Sequence, residues 1–227
     1  MHYILLFSVF AVLFCCACGE ANFKADLAAH KKEVYRQAKQ NGDANIAIQA
    51  LYDILAVEPS AEHWQDSIAL LYVQQKAYPQ AIQVSGQRLE TAPQDTLMLK
   101  VQAISYKALG DSKNALKAYE KLYSLTQNIY HLYEIATTQY GMTRLQECLQ
   151  TAQSIHQHPE LKKAKVNLNF NQQNQVVPLK AATYNIQGVI AKDLDKKSEA
   201  RTLFEQALQV FPDFALAKGN LKEINGG

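Results

Sequence analysis

The chain has 227 residues, 48% hydrophobic and 19% charged, and a formal net charge of +2 from 23 basic and 21 acidic side chains. Acids and bases are interspersed, so the basic footprint of a nucleic-acid-binding protein is missing. Nine Gly and six Pro, placed mostly at segment ends, fit a mainly helical chain.

Residues 1–17 read as a signal peptide. The apolar run YILLFSVFAVLF is shorter than the about 20 residues a spanning helix needs, and it ends in CCACGE. Met1 and His2 supply no Lys or Arg ahead of it. Cys18, after Ala17 and before Gly19, resembles a bacterial lipobox cysteine, which is acylated and becomes the new N-terminus. Cys15 and Cys16 stand where an aliphatic and a small residue are usual, and Cys16 is a second candidate. Plain cleavage near Ala17 is the alternative. Two or more acyl chains would anchor the protein without a crossing helix, and residues 18–27 would then form a tether. Gly19 in place of Asp favours the outer membrane over the inner, by resemblance to sorting rules in some bacteria. The remaining cysteine, Cys148, has no partner in the mature chain.

From residue 28 the chain repeats itself. NGDANIAIQALYDILAVEP, QKAYPQAIQVSGQRLETAP and LGDSKNALKAYEKLYSLTQ superpose without gaps, with Ala47, Ala81 and Ala115 in 34-residue steps. A fourth copy puts Cys148 33 residues further on, and a fifth puts Ala200 in the same place. Each copy predicts a helical hairpin. Apolar residues recur at helical spacing on both sides of a break such as Gly42-Asp43 or Gly110-Asp111, and Pro59, Pro93 or Pro212 closes the second helix.

These residues resemble the tetratricopeptide repeat (TPR) family. The fifth copy carries the match best, through Tyr184, Gly188, Ala200, Phe204, Ala207 and Pro212; the first and fourth are the most degenerate. Trp64 stands one residue from the usual aromatic place. The resemblance implies an all-α protein: a right-handed α-solenoid of about five hairpins whose first helices line a groove. Repeats one to four would occupy 28–160, repeat five 181–214, and a capping helix 215–227.

The spacing also locates an insertion. Cys148 and Ala200 are 52 residues apart, 18 more than the 34-residue step. In VNLNFNQQNQVVPLK, Val166, Leu168 and Phe170 alternate with Asn167 and Asn169, the period of a half-buried strand. With a turn at Asn171–Asn174 and a return over Gln175–Leu179, residues 161–180 predict a β-hairpin between repeats four and five, its apolar face packed on the helices. Pro178 demands an edge or an end. Partner recognition and simple spacing are both open roles for the insertion.

Catalytic chemistry is hard to find. No His-Glu-x-x-His, zinc spacing, nucleophile elbow or phosphate loop occurs. Cys148 takes the small-residue place of its repeat and reads as a buried hydrophobe. His156 and His158 read as a solvated pair at a helix end, and the runs His30–Lys32 and Lys162–Lys165 as solvated faces. No cofactor and no metal are implied.

A non-enzymatic scaffold that binds a protein or peptide is therefore expected. Helical spacing on the first helices selects Lys32, Arg36 and Lys39; Asp66 and Leu70; Lys100, Ile104 and Lys107; Tyr130, Tyr133 and Tyr140; and Asn185. The three tyrosines share one helical face, suited to recognition, although Tyr133 and Tyr140 equally suit packing. The family's carboxylate clamp is not expected, since Arg36, Leu97 and Val101 stand where its Asn and basic residues belong. With the export signal, the expectation is a lipid-anchored envelope scaffold, the alternative being a glycan- or cell-wall-binding accessory protein.

Overall fold

The computed structural model describes residues 22–59, 63–170 and 173–226. The signal segment, the lipidation candidate Cys18, the first part of the tether and two residues of the expected turn, 171–172, lie outside these. Two compact units divide between Ser105 and Tyr106.

The first unit holds α1 (22–40), α2 (Ala44–Val57), α3 (His63–Gln74), α4 (Tyr78–Thr91) and most of α5 (Thr96–Ala108). Residues 22–27, expected as tether, already belong to α1. Its core joins Leu51 and Ile54 of α2, Ile68 and Ala69 of α3, Ala81 and Val84 of α4, and Met98 and Val101 of α5. Trp64 closes one side of this core, edge-on to Tyr35 at 5.6 Å between ring centroids.

The second unit holds the end of α5, α6 (Ser112–Thr126), α7 (Ile129–Gly141), α8 (Leu145–Gln157), a 3-10 turn (Pro159–Lys162), β1 (Lys165–Phe170), β2 (Gln173–Pro178), α9 (Leu179–Asp193), α10 (Lys197–Val210) and α11 (Ala215–Gly226). The capping helix predicted over 215–227 is thus α11, and buried Phe214 and Ala217 seal its start.

One turn joins the two helices of every repeat. Gly42, Lys76, Gly110, Thr143 and Asp195 all have left-handed φ, between 58° and 78°. The N–H of the following residue reaches back five positions in each: Asp43 to Ala38, Ala77 to Tyr72, Asp111 to Tyr106, Arg144 to Gln139, Lys196 to Ala191, at 2.8–2.9 Å. The left-handed residue itself donates three positions back, completing a Schellman motif that satisfies otherwise orphaned carbonyls. Five residues after each left-handed position comes the small residue of the repeat: Ala47, Ala81, Ala115, Cys148 or Ala200, all fully buried. The turn fixes where the second helix starts, and the small side chain lets it approach the first.

Helices α9 and α10 approach closely at Gly188. A Cβ on Gly188 would stand 2.5 Å from Cε1 of Phe204, a distance no real Cβ tolerates. The absent side chain of one helix therefore makes room for the ring of the other, and Phe204 is completely buried.

The insertion is an antiparallel hairpin with Lys165 opposite Pro178 and Phe170 opposite Gln173. Its return strand starts two residues earlier than expected, leaving a connection of two residues. Across the base of the hairpin, Leu179 N–H donates to Ala164 O at 2.9 Å. Antiparallel pairs alternate between bonded and non-bonded, so Val166, Leu168 and Phe170 exchange ladder bonds with β2. The main-chain groups of Lys165, Asn167 and Asn169 point the other way, to the open edge of β1. Pro178 sits in a non-bonded pair, where its missing N–H costs the ladder nothing.

Burial follows the same alternation. Val166, Leu168 and Phe170 are half-buried and Val177 is fully buried, while Asn167, Asn169 and Val176 face solvent. The hairpin leans on the connection into α11. Gln175 donates to Asp213 O through Nε2, and its Oε1 accepts from Ala215 N at 3.1 Å. Phe170 lies over Gly219. A two-stranded hairpin is marginal alone in water; here the helices supply its third layer.

Candidate functional site

Between the exposed side of α7 and strand β1 runs a cleft of about 400 Å³, lined by Lys107, Tyr130, Tyr133, Glu134, Thr137 and the stretch Lys165 to Leu168. A second hollow of about 480 Å³ lies on the other side of Tyr130, bounded by Ile129, Pro159, Glu160, Lys162, Lys163 and Ala164. Tyr130, 44% exposed, is the ridge between them.

Local sequence sets that ridge. Gln127 adopts φ 51° and ends α6; the Asn128 side chain then caps α7 by accepting from Tyr130 N at 2.9 Å. This fixes Tyr130 on the first turn of α7, and the Tyr130 hydroxyl accepts the main-chain N–H of Lys165 at 3.5 Å. One turn on, Tyr133 forms the cleft floor. It is only 8% exposed, and burial pushes its hydroxyl well above the ordinary phenol range. Lys107 pairs with Glu134 at the rim.

Basic groups outnumber acidic ones around the cleft, with Glu160 the exposed carboxylate beside them. Lys162, Lys163 and Lys165 are exposed and join no ion pair among the described residues, while the nearby Glu134 is engaged by Lys107. Lys162 and Lys163 lie in the short segment between α8 and β1, and Lys165 opens β1, all three beside Tyr130.

The residues selected by helical spacing divide accordingly. Lys107, Tyr130 and Tyr133 come together in the cleft. Tyr140 lies further along α7, where its hydroxyl donates to Asp193 Oδ2 at 2.8 Å; burial, with this contact, pushes it up to about 12. Asn185 is buried against α11 rather than open, its Oδ1 accepting from Asn220 Nδ2 at 2.9 Å. In the first unit Lys32 pairs with Glu58 at 2.8 Å, Arg36 with Glu33 of its own helix, and Lys39 lies over the Tyr35 ring at 5.9 Å. Asp66 turns toward Arg88 of α4 at 3.7 Å. Leu70 and Lys100 are exposed and Ile104 is half-buried. A hollow of mixed lining in this unit, about 790 Å³, surrounds the Asn41–Asn45 turn, Lys39, Leu71 and Gln75. Its carboxylate, Asp43, is occupied capping α2 through Ile46 N.

Spacing on helices did not select Val166 or Leu168. The 18-residue excess in the repeat step was the signal that pointed to that segment.

Reactive groups elsewhere are occupied structurally. Cys148 donates to Ala136 O at 3.1 Å, and burial pushes its thiol up to about 11. His156 stacks on Tyr184 at 4.5 Å and bonds Gln187, whereas His158 bonds Gln127 O and caps the 3-10 turn. Among the described residues no three His, Cys, Asp or Glu side chains gather to hold a metal, and no helix is long and apolar enough to cross a membrane.

A family profile described as tetratricopeptide repeat matches residues 102–129 and 181–214. Solved structures agree. YrrB, a TPR protein with an unusual peptide-binding site, superposes with a TM-score of 0.65 at 15% identity, over 83% of this chain and 88% of its own. MamA from Desulfovibrio magneticus RS-1, residues 41 to the end, superposes with a TM-score of 0.64 at 12% identity, over 84% of this chain and 98% of its own. No curated protein sequence matches. The chain carries tetratricopeptide repeats at the matched residues and has the fold of such proteins, with a β-hairpin set between α8 and α9.

Proposed function

We propose that this protein is a non-enzymatic scaffold that binds a peptide or an extended segment of another protein in the cleft between α7 and β1. The observation that carries this reading is the convergence of Tyr130, Tyr133 and the edge of β1 on one concave surface. Tyrosine offers broad apolar contact with a polar tip at little entropic cost, as recognition surfaces need. The likeness of fold to YrrB, itself a peptide-binding TPR protein, supports a peptide as ligand.

The export signal and the Cys18 motif support a location at the cell envelope, with acyl chains on Cys18 holding the protein to the membrane, the outer one by preference. Mass spectrometry of the mature N-terminus tests this: an acylated Cys18 is expected, and an unmodified N-terminus at Gly19 or beyond contradicts it.

The binding site is tested with a photo-crosslinking amino acid at Tyr130 in the producing cell, and at exposed Leu194 as control. A discrete adduct from position 130 and none from 194 is expected. No adduct, or the same adducts from both, contradicts the reading. Sedimentation with purified cell wall tests the glycan alternative; co-sedimentation that Tyr130→Ala abolishes would favour it.

A further inference from the structure

Resting on that reading, we propose how the partner is held: an acidic segment in extended conformation pairs, strand to strand, with the open edge of β1 and makes a third strand of the insertion sheet.

Three observations lead there. First, the alternation of ladder bonds sends the N–H and C=O of Lys165, Asn167 and Asn169 away from β2. Among the described residues, the groups of Asn167 and Asn169 have no main-chain or side-chain partner on that side. Such an edge is a template for another chain.

Second, the edge is aimed into the cleft. Lys165 N–H, the first outward donor, already reaches the Tyr130 hydroxyl, although only at 3.5 Å. A long, weak bond of this kind is easily exchanged for a carbonyl of an incoming strand. The side chains beside it, Val166 and Leu168, line the cleft with Tyr133, so alternate residues of the incoming strand meet an apolar floor.

Third, charge selects the occupant. Lys162, Lys163 and Lys165 stand at one end of the edge with no carboxylate paired to them. Edge lysines also repel a second, equally basic edge, which disfavours self-association through β1. A partner strand with Asp or Glu at alternate positions would answer these lysines while its other face lies on Tyr133. Carboxylates supply orientation and salt sensitivity, and main-chain bonds supply the pairing.

The experiment selects a random dodecapeptide phage library on the mature protein, then measures synthetic copies of the enriched peptides by fluorescence anisotropy. The probing variant is Asn167→Pro, which removes one outward donor and no ladder bond to β2; its circular dichroism and melting confirm folding. Lys162→Glu/Lys163→Glu/Lys165→Glu is the second variant, and Tyr130→Ala the third.

Enrichment of acidic peptides is expected, with Asn167→Pro weakening them about tenfold or more. The lysine reversal should abolish them, and N-methylation of their alternate amides should do the same. Peptides that lose affinity with Tyr130→Ala but ignore both Asn167→Pro and N-methylation overturn strand pairing and leave the peptide-binding reading standing. Enrichment of peptides without acids overturns the charge argument. Failure to enrich any peptide overturns both the inference and the reading beneath it. Sedimentation that shows a dimer lost in Asn167→Pro assigns the edge to a second copy and likewise overturns the proposal.

Discussion

Gly188 of α9 and Phe204 of α10 share one space: the ring of Phe204 occupies the position a side chain on Gly188 would need. Gly188→Ala therefore forces the ring or the helix to move. A loss of about 1–3 kcal/mol in unfolding free energy is expected, measured by urea denaturation. Gly188→Ala combined with Phe204→Leu should lose less than the sum of the two single changes, because the smaller side chain relieves the clash.

Cys148 fills the place that Ala holds in four of the repeats, and its thiol is fully buried. With the thiol raised to about 11 by burial, little thiolate exists near pH 8. Labelling by a thiol reagent should be negligible in the folded protein and complete in denaturant. Cys148→Ala should change stability by less than about 1 kcal/mol, and Cys148→Leu should cost more, through overpacking.

Asp111 caps α6: one carboxylate oxygen accepts Asn114 N at 3.1 Å and the other accepts Asn114 Nδ2 at 2.7 Å. The main-chain bond first, then the side-chain bond, holds its pKa below the ordinary carboxylate value. Its contribution is thus fully present above about pH 4 and is lost as pH falls through the lowered folded value. Asp111→Asn keeps a capping oxygen without the charge. Wild type should melt above this variant at pH 6, and the gap should close as pH approaches 2. A gap that stays constant would show that the charge is irrelevant.

Gln175 fastens the insertion to the start of α11 with both ends of its amide. Gln175→Ala should cost about 1–2 kcal/mol, since two main-chain groups lose their partner. Val176→Ala, on the 60% exposed face of the same strand, should be nearly silent. Thermal melts of the two variants compare them directly.

The architecture was legible because the repeat is periodic in physically necessary residues. Ala47, Ala81, Ala115, Cys148 and Ala200 must be small, and their steps revealed five hairpins and bounded the insertion between the fourth and fifth. The alternation in Val166–Phe170 gave the first strand, because burial on one face leaves a period of two in the sequence. Less visible were the turns. Gly42 and Gly110 announce a left-handed residue and Asp195 hints at one, but Lys76 and Thr143 carry the same φ without any sign in residue type. There the Schellman bonds outweigh the roughly 1–2 kcal/mol steric cost.

The candidate site was legible only in part. Spacing on a helix tells which residues share a face, not what a distant segment lays over that face. Spacing selected Tyr130 and Tyr133 as candidates, but not that Tyr133 is floor and Tyr130 is ridge, which follows because the insertion returns beside α7. Asn185 lies on the same kind of helix and is covered by α11 through Asn220. Lys32 and Asp66 were equally good candidates, and ion pairs with Glu58 and Arg88 occupy them.

The central claim is that the cleft of α7 and β1 is where the partner binds. The most direct measurement is amide chemical-shift mapping of the protein titrated with the peptide recovered from cross-linking at Tyr130. The account predicts that the largest shifts fall on Tyr130, Tyr133, Thr137 and Val166 to Leu168. Shifts that concentrate on α1 to α4 and leave these residues unmoved would contradict it.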